Sequence, residues 1–173
     1  PVILFPSGAK FLSKYADAIF FMSLLNSNNL DFVIREHVQG APFVKYTGLE
    51  PISMGYLIVE PGMTAGKMGQ ADLVKKDDLN TAIGYGLATQ FLGMKFFYLE
   101  AGSGPNEPIS DEMIKSVKKN IDIPLIVGGG IRDSKTARRK AKAGADIIVT
   151  GTAFEKEKNL EKTLGEIIKA IEG

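Results

Sequence analysis

The sequence is poor in the side chains that most often carry chemistry. Its 173 residues include no cysteine and one histidine. The first absence excludes disulfides and thiolate metal sites. The second leaves no basis for a histidine-rich metal site or a Ser-His-Asp triad, and His37 reads as a surface or packing residue. An excess of one charge is also lacking: 21 basic side chains face 20 acidic ones, for a net charge of +1. No concentrated basic face of the kind that holds nucleic acid is therefore expected. The apolar runs, such as Ala18–Leu25, are too short to span a bilayer, and no signal peptide is visible. The expectation is a cytoplasmic α/β protein of one domain, residues 1–173, with 19 glycines to place.

Six short apolar runs recur along the chain: Pro1–Pro6, Ala18–Leu24, Met54–Glu60, Lys95–Glu100, Pro124–Val127 and Asp146–Thr150. They are continuous rather than alternating, as in parallel strands buried on both faces. Helical stretches separate them. Leu79, Ile83, Leu87 and Phe91 form one stripe, and Leu160, Leu164, Ile167, Ile168 and Ile171 another. Ser110 can cap a helix that turns Met113, Ile114 and Val117 inward. Asp133 or Ser134 can cap Lys135–Ala143, with Gly144 as its stop. Asp31–Gln39 is a further helical candidate. The basic cluster Lys135, Arg138, Arg139, Lys140 and Lys142 reads as a solvated outer face.

Strand–helix alternation fits an open doubly wound sheet or a (β/α)8 TIM barrel. The glycines favour the barrel, because they follow the C-terminal ends of three consecutive late strands, where such barrels bind phosphate. A closed barrel has eight strands in about 250 residues. Six runs are present and Pro1 lies inside the first. The expectation is a barrel domain whose first two β/α units are not in this chain.

The candidate site is built from Tyr98–Gly104, Gly128–Gly130 and Gly151–Thr152. Glycine loops let backbone N–H groups approach an anion closely, and a helix start after Gly151 adds a favourable dipole. Tyr98 and Glu100 share side-chain parity, so both can point inward at the rim. A carboxylate there either pairs in a salt bridge or serves as base or acceptor for a polyol hydroxyl beside a bound phosphate. Met54–Gly69 is long and glycine-rich, with Tyr56 and Glu60 of matching parity. It reads as a lid, an apolar ligand wall or core filler. Glu60-Pro61-Gly62 also fits a simple strand-to-turn junction.

These segments carry a family resemblance. VILFPS, YADAIFFMSLLNSNN, GYLIVEPGMTAG, YLEAGSG, PLIVGGGIR and GADIIVTGTAFE run in order through the chain. They resemble the geranylgeranylglyceryl phosphate synthases, archaeal ether-lipid prenyltransferases related to the heptaprenylglyceryl phosphate synthases. YLEAGSG and LLNSNN are the specific segments, while GGGIR and GADIIVTGTA are shared with many phosphate-binding barrels. The resemblance implies transfer of an isoprenoid from geranylgeranyl diphosphate to sn-glycerol 1-phosphate, with diphosphate released. It assigns Tyr98, Leu99, Glu100, Ala101, Gly102, Ser103 and Gly104 to the glycerol phosphate. Gly129, Gly130, Gly151 and Thr152 would hold its phosphate, and Glu100, with Tyr98, would act on the attacking hydroxyl. Tyr56, Leu57 and Met63 are candidates for the prenyl groove.

The resemblance further implies Mg²⁺ as cofactor, held by residues that would precede Pro1, so no metal ligand is assigned in this chain. A molecule starting at Pro1 would be expected to bind glycerol 1-phosphate without turnover. Homo-oligomers and transient membrane contact for the lipid product also follow from the resemblance, whereas prenyl length does not. Two other readings stay open: a different phosphate-substrate barrel, such as a sugar-phosphate isomerase, and a non-catalytic barrel fragment.

Overall fold

The computed structural model describes residues 1–105, 107–151, 154 and 159–172. Its strands are β1 (Ile3–Leu4), β2 (Ala18–Leu24), β3 (Glu50–Ile58), β4 (Phe96–Glu100), β5 (Leu125–Gly128) and β6 (Ile147–Ile148). Its helices are α1 (Glu36–Thr47), α2 (Met63–Met68), α3 (Leu79–Phe91), α4 (Asp111–Asn120), α5 (Ser134–Ala143) and α6 (Leu160–Glu172). The strands pair in sequence order, all parallel. Continuous apolar runs make this arrangement possible, since both faces of β4 and β5 are buried.

The sheet curls into a half-barrel. Neighbouring strands lie about 4.8 Å apart, so β1 and β4 would be about 14 Å apart if the sheet were flat. Yet the ring of Phe5, just after β1, sits 5.8 Å from that of Tyr98 on β4. Phe20 on β2 likewise reaches Phe96 on β4 at 5.9 Å. Only a concave face brings these rings together.

Strand alternation divides the core into two layers. Met54, Tyr98 and Ile126 point into the concavity, with Phe20, Met22, Tyr56, Phe96 and Val149 around them. Leu57, Phe97, Leu99, Leu125 and Val127 point outward, against Met113, Ile114 and Val117 of α4 and Ala137 of α5. Caps fix where the covering helices begin. The Ser110 hydroxyl accepts from Met113 N–H at 3.1 Å, and Asp133, not Ser134, accepts from Thr136 N–H at 2.7 Å. Gly144 ends α5 in the left-handed region.

Three sequence expectations are corrected. The buried stripe of α3 is Ala82, Gly86 and Thr89, while Phe91 is exposed. The helix lies so close to the sheet that a methyl on Gly86 would stand 3.3 Å from Phe97 of β4. Small residues therefore face inward, and Leu79, Ile83 and Leu87 pack along the flanks. On α6 only Ile167 is buried, with Ile171 against the core, while Leu160, Leu164 and Ile168 are exposed. Lys140 is not on a solvated face: it is 2% exposed and bonds Asp111 at 2.5 Å, because α5 packs on the start of α4. The helical candidate at Asp31–Gln39 is borne out: a wider helical turn over Asp31–Arg35 runs into α1, which continues to Thr47.

Candidate functional site

Tyr98 and Glu100 stand two residues apart on β4, both on the concave side at the C-terminal end. The Tyr98 hydroxyl donates to Glu100 Oε2 at 2.5 Å. The other carboxylate oxygen, Oε1, accepts the Gly102 N–H at 2.6 Å. Burial raises the Glu100 pKa above its ordinary value, and these two bonds pull against that rise. Glu100 is 8% exposed. A carboxylate offers about four lone-pair directions, so two internal bonds leave capacity for a ligand.

The loop after β5 is shaped around this carboxylate. Gly129 has φ of +85°, and a Cβ there would lie 2.6 Å from Glu100 Oε1 and 2.8 Å from Ala101 N. Only glycine combines that conformation with that approach. Gly102, at φ +99°, is the second such position: a Cβ would collide with the Gly62 carbonyl at the start of α2. The first turn of α2 thus rests directly on the floor of the site.

A cleft of about 130 Å³ opens above these groups. Glu100, Gly102, Ser103, Gly104, Gly129, Gly130 and Gly151 line it, joined by Ile131, Arg132 and Val149. Three loops far apart in sequence converge here because β4, β5 and β6 are neighbours in the sheet. Leu99 and Ala101 do not join them. Their side chains are fully buried on the opposite face, against the helices, as the alternation of a strand requires. The Ala101 N–H is also used, donating to the Gly128 carbonyl at 3.3 Å. Thr152 lies outside the described residues. Sequence reasoning missed Arg132 and Val149. The signal for Arg132 was its place directly after the glycine run.

A larger apolar cavity of about 280 Å³ adjoins β1–β3 and α1. Phe5, Phe20, Met22, Tyr56 and Phe32 line it, with Ala65 and Gly69 of the α2 region at one end. Of the groove candidates, Tyr56 is present. Leu57 faces the helices and is fully buried there, and Met63 is exposed at the start of α2, outside the lining. His37 also borders the cavity, edge-on to Phe21 at 4.6 Å. Desolvation lowers its pKa, so it is neutral near pH 7.

Asn26, in the LLNSNN segment, is a clamp rather than a ligand group. Its side chain bonds both the N–H and the carbonyl of Ile58 and the carbonyl of Asp72. Glu60 is exposed and accepts from the Lys76 N–H, consistent with a strand-to-turn junction.

Comparison with known proteins decides the family. The model of the PcrB family matches residues 1–171. The chain belongs to the PcrB family. Among curated PcrB relatives, the geranylgeranylglyceryl phosphate synthase of Thermoplasma volcanium is 51% identical over 170 residues, which cover 98% of this chain and 68% of that protein. The synthase of Thermococcus kodakarensis is 54% identical over 176 residues, covering 100% of this chain and 70% of that protein. A crystal structure of (S)-3-O-geranylgeranylglyceryl phosphate synthase from Thermoplasma acidophilum, in complex with sn-glycerol-1-phosphate, superposes with a TM-score of 0.94 at 45% identity. It covers 98% of this chain and 68% of that one. The resemblance to the geranylgeranylglyceryl phosphate synthases read from YLEAGSG and its companion segments is thereby confirmed.

Proposed function

We propose that this chain is a geranylgeranylglyceryl phosphate synthase, joining the isoprenoid of geranylgeranyl diphosphate to sn-glycerol 1-phosphate through an ether bond. The observation that carries the reading is the Glu100 carboxylate. It is buried, held by Tyr98 and Gly102, and set at the mouth of a glycine-walled cleft. Relatives at 51% and 54% identity named for this activity support it.

In this reading the phosphate sits against Gly102–Gly104, Gly129–Gly130 and Gly151. The glycerol hydroxyl hydrogen-bonds to Glu100. As its oxygen forms the bond to the allylic carbon, the bond from that carbon to diphosphate breaks, and the hydroxyl proton passes to Glu100. A raised pKa suits a carboxylate to accept that proton. Tyr98 keeps the carboxylate aimed, and orientation itself lowers the barrier. The prenyl chain extends along the apolar cavity beside Tyr56.

Mg²⁺ belongs to the proposal as the group that neutralises the departing diphosphate. Among the described residues no group of three or more His, Cys, Asp or Glu side chains converges to hold an ion. In this reading Glu100 and Tyr98 act on the acceptor hydroxyl. The six parallel strands are read as consecutive strands of a (β/α)8 barrel, supported by the curl and by a site at the strands' C-terminal ends. A homo-oligomeric assembly is part of the same reading, checked by light scattering.

The test is incubation of the full-length enzyme with sn-glycerol 1-phosphate, geranylgeranyl diphosphate and Mg²⁺. Formation of the ether phosphate with release of diphosphate is expected. No ether product above background would overturn the assignment.

A further inference from the structure

The glycerol phosphate cleft contains a cation that the assignments above leave without a role. Arg132 follows the glycine loop of β5, between Ile131, which is buried, and Asp133, which caps α5. Both neighbours fix its backbone. Its Nη2 donates to the carbonyls of Gly104 at 2.7 Å and Pro105 at 3.3 Å, across the cleft mouth. The bond ties the β4–α4 loop to the β5–α5 loop. A guanidinium has five N–H donors in a fixed fork. Nε and Nη1 have no protein partner among the described residues.

Charge points the same way. Among the described residues lining the cleft, Arg132 is the only cation and Glu100 the only anion. A phosphate monoester brings up to two negative charges into a space already shared with a carboxylate. Glycine N–H groups supply hydrogen bonds but no full positive charge.

We propose that Arg132 is a phosphate anchor of this site: its guanidinium holds the Gly104–Pro105 carbonyls with one nitrogen and presents its remaining donors and its charge to the bound phosphate. The proposal rests on the reading of the cleft as a glycerol phosphate site. It adds the residue that sets affinity and selectivity for a charged acceptor over a neutral polyol. Arg132 is exposed, so its replacement is compatible with folding, which thermal unfolding verifies.

Three variants separate the contributions. Arg132→Gln keeps an NH₂ donor for the carbonyls but loses the charge. Arg132→Lys keeps the charge but loses the planar fork, and Arg132→Met loses both. Binding of sn-glycerol 1-phosphate and of inorganic phosphate would be measured by calorimetry at two salt concentrations, alongside steady-state kinetics. Gln and Met are expected to weaken both ligands about tenfold or more, the scale of a charge-assisted bond. Lys should fall between these and the parent. The KM for geranylgeranyl diphosphate should stay within about twofold and kcat at saturating acceptor within about threefold, since neither depends on phosphate affinity. The salt dependence of binding should flatten in Gln and Met, which a purely structural tether would not produce.

Unchanged acceptor affinity in Arg132→Gln and Arg132→Met, with the parent binding normally, overturns the anchor and leaves the synthase reading intact. A parent that binds inorganic phosphate through Arg132 but not sn-glycerol 1-phosphate keeps the anchor and removes the substrate assignment. A parent that binds neither removes both.

Discussion

Glu100 is the residue whose environment is most expensive to maintain. Its carboxylate is 8% exposed and its pKa is raised chiefly by desolvation. A carboxyl with a raised folded pKa binds its proton more tightly folded than unfolded. The folded state therefore loses stability as pH rises through and beyond the ordinary carboxylate range, and regains it on acidification. Glu100→Gln should accordingly be at least as stable as the parent at pH 8, with any advantage shrinking toward pH 4. Thermal unfolding across that range checks the sign. The same variant should lose at least about a hundredfold in kcat, the scale of general-base catalysis, while binding of sn-glycerol 1-phosphate changes little. Tyr98→Phe gives a second, independent test. The Tyr98 hydroxyl pulls the Glu100 pKa down, so its removal should move the acid limb of the kcat/KM profile to higher pH. A limb that stays in place would mean that Glu100 is not the group titrating.

At the scale of elements, the strand ends are held by polar clamps as much as by apolar packing. Asn26 satisfies three backbone groups at the exits of β2 and β3. Asn26→Ala would strand some of them in a buried place, and a loss of about 2–3 kcal/mol is expected, measured by denaturant unfolding. This clamp explains why LLNSNN reads as a signature although Asn26 lines neither cavity. Elements were legible in the sequence where one physical pattern dominated. The apolar runs revealed the strands, and Ser110 and Gly144 marked helix ends, because those signals are local. The inward parity of Tyr98 and Glu100 was readable for the same reason. The inward face of α3 was not. Ala82, Gly86 and Thr89 are buried because the helix lies close to β3 and β4, a distance that exists only once the sheet has formed. Leu57 was misplaced although alternation was readable: with Tyr56 facing the cavity, its neighbour must face the helices. Arg132 was hidden because its partners, the Gly104 and Pro105 carbonyls, lie 28 and 27 residues away.

On the scale of the whole molecule, the two cavities share α2. Its first turn rests on Gly102 beneath the glycine-walled cleft, while Ala65 and Gly69 line the apolar cavity. The binding of the two substrates should nonetheless be separable. Ala65→Phe is expected to fill part of the 280 Å³ space and raise the KM for geranylgeranyl diphosphate several-fold, with calorimetric affinity for sn-glycerol 1-phosphate unchanged. Equal effects on both would place the prenyl chain elsewhere.

The aromatic convergence that reveals the curl also gives the protein an internal optical reporter. There is no tryptophan, and the chain has five tyrosines. Tyr56 and Tyr98 pack 4.9 Å apart in the concavity, and burial together with the nearby Glu100 raises both phenol pKa values. Tyr15 and Tyr46 are 87% and 90% exposed. Phenolate absorbance near 295 nm from the Tyr56–Tyr98 pair should therefore appear only as the concavity opens, since their raised pKa values withdraw stability from the fold above about pH 10. Alkaline difference spectra, with no label attached, would then time the opening of the active-site face itself.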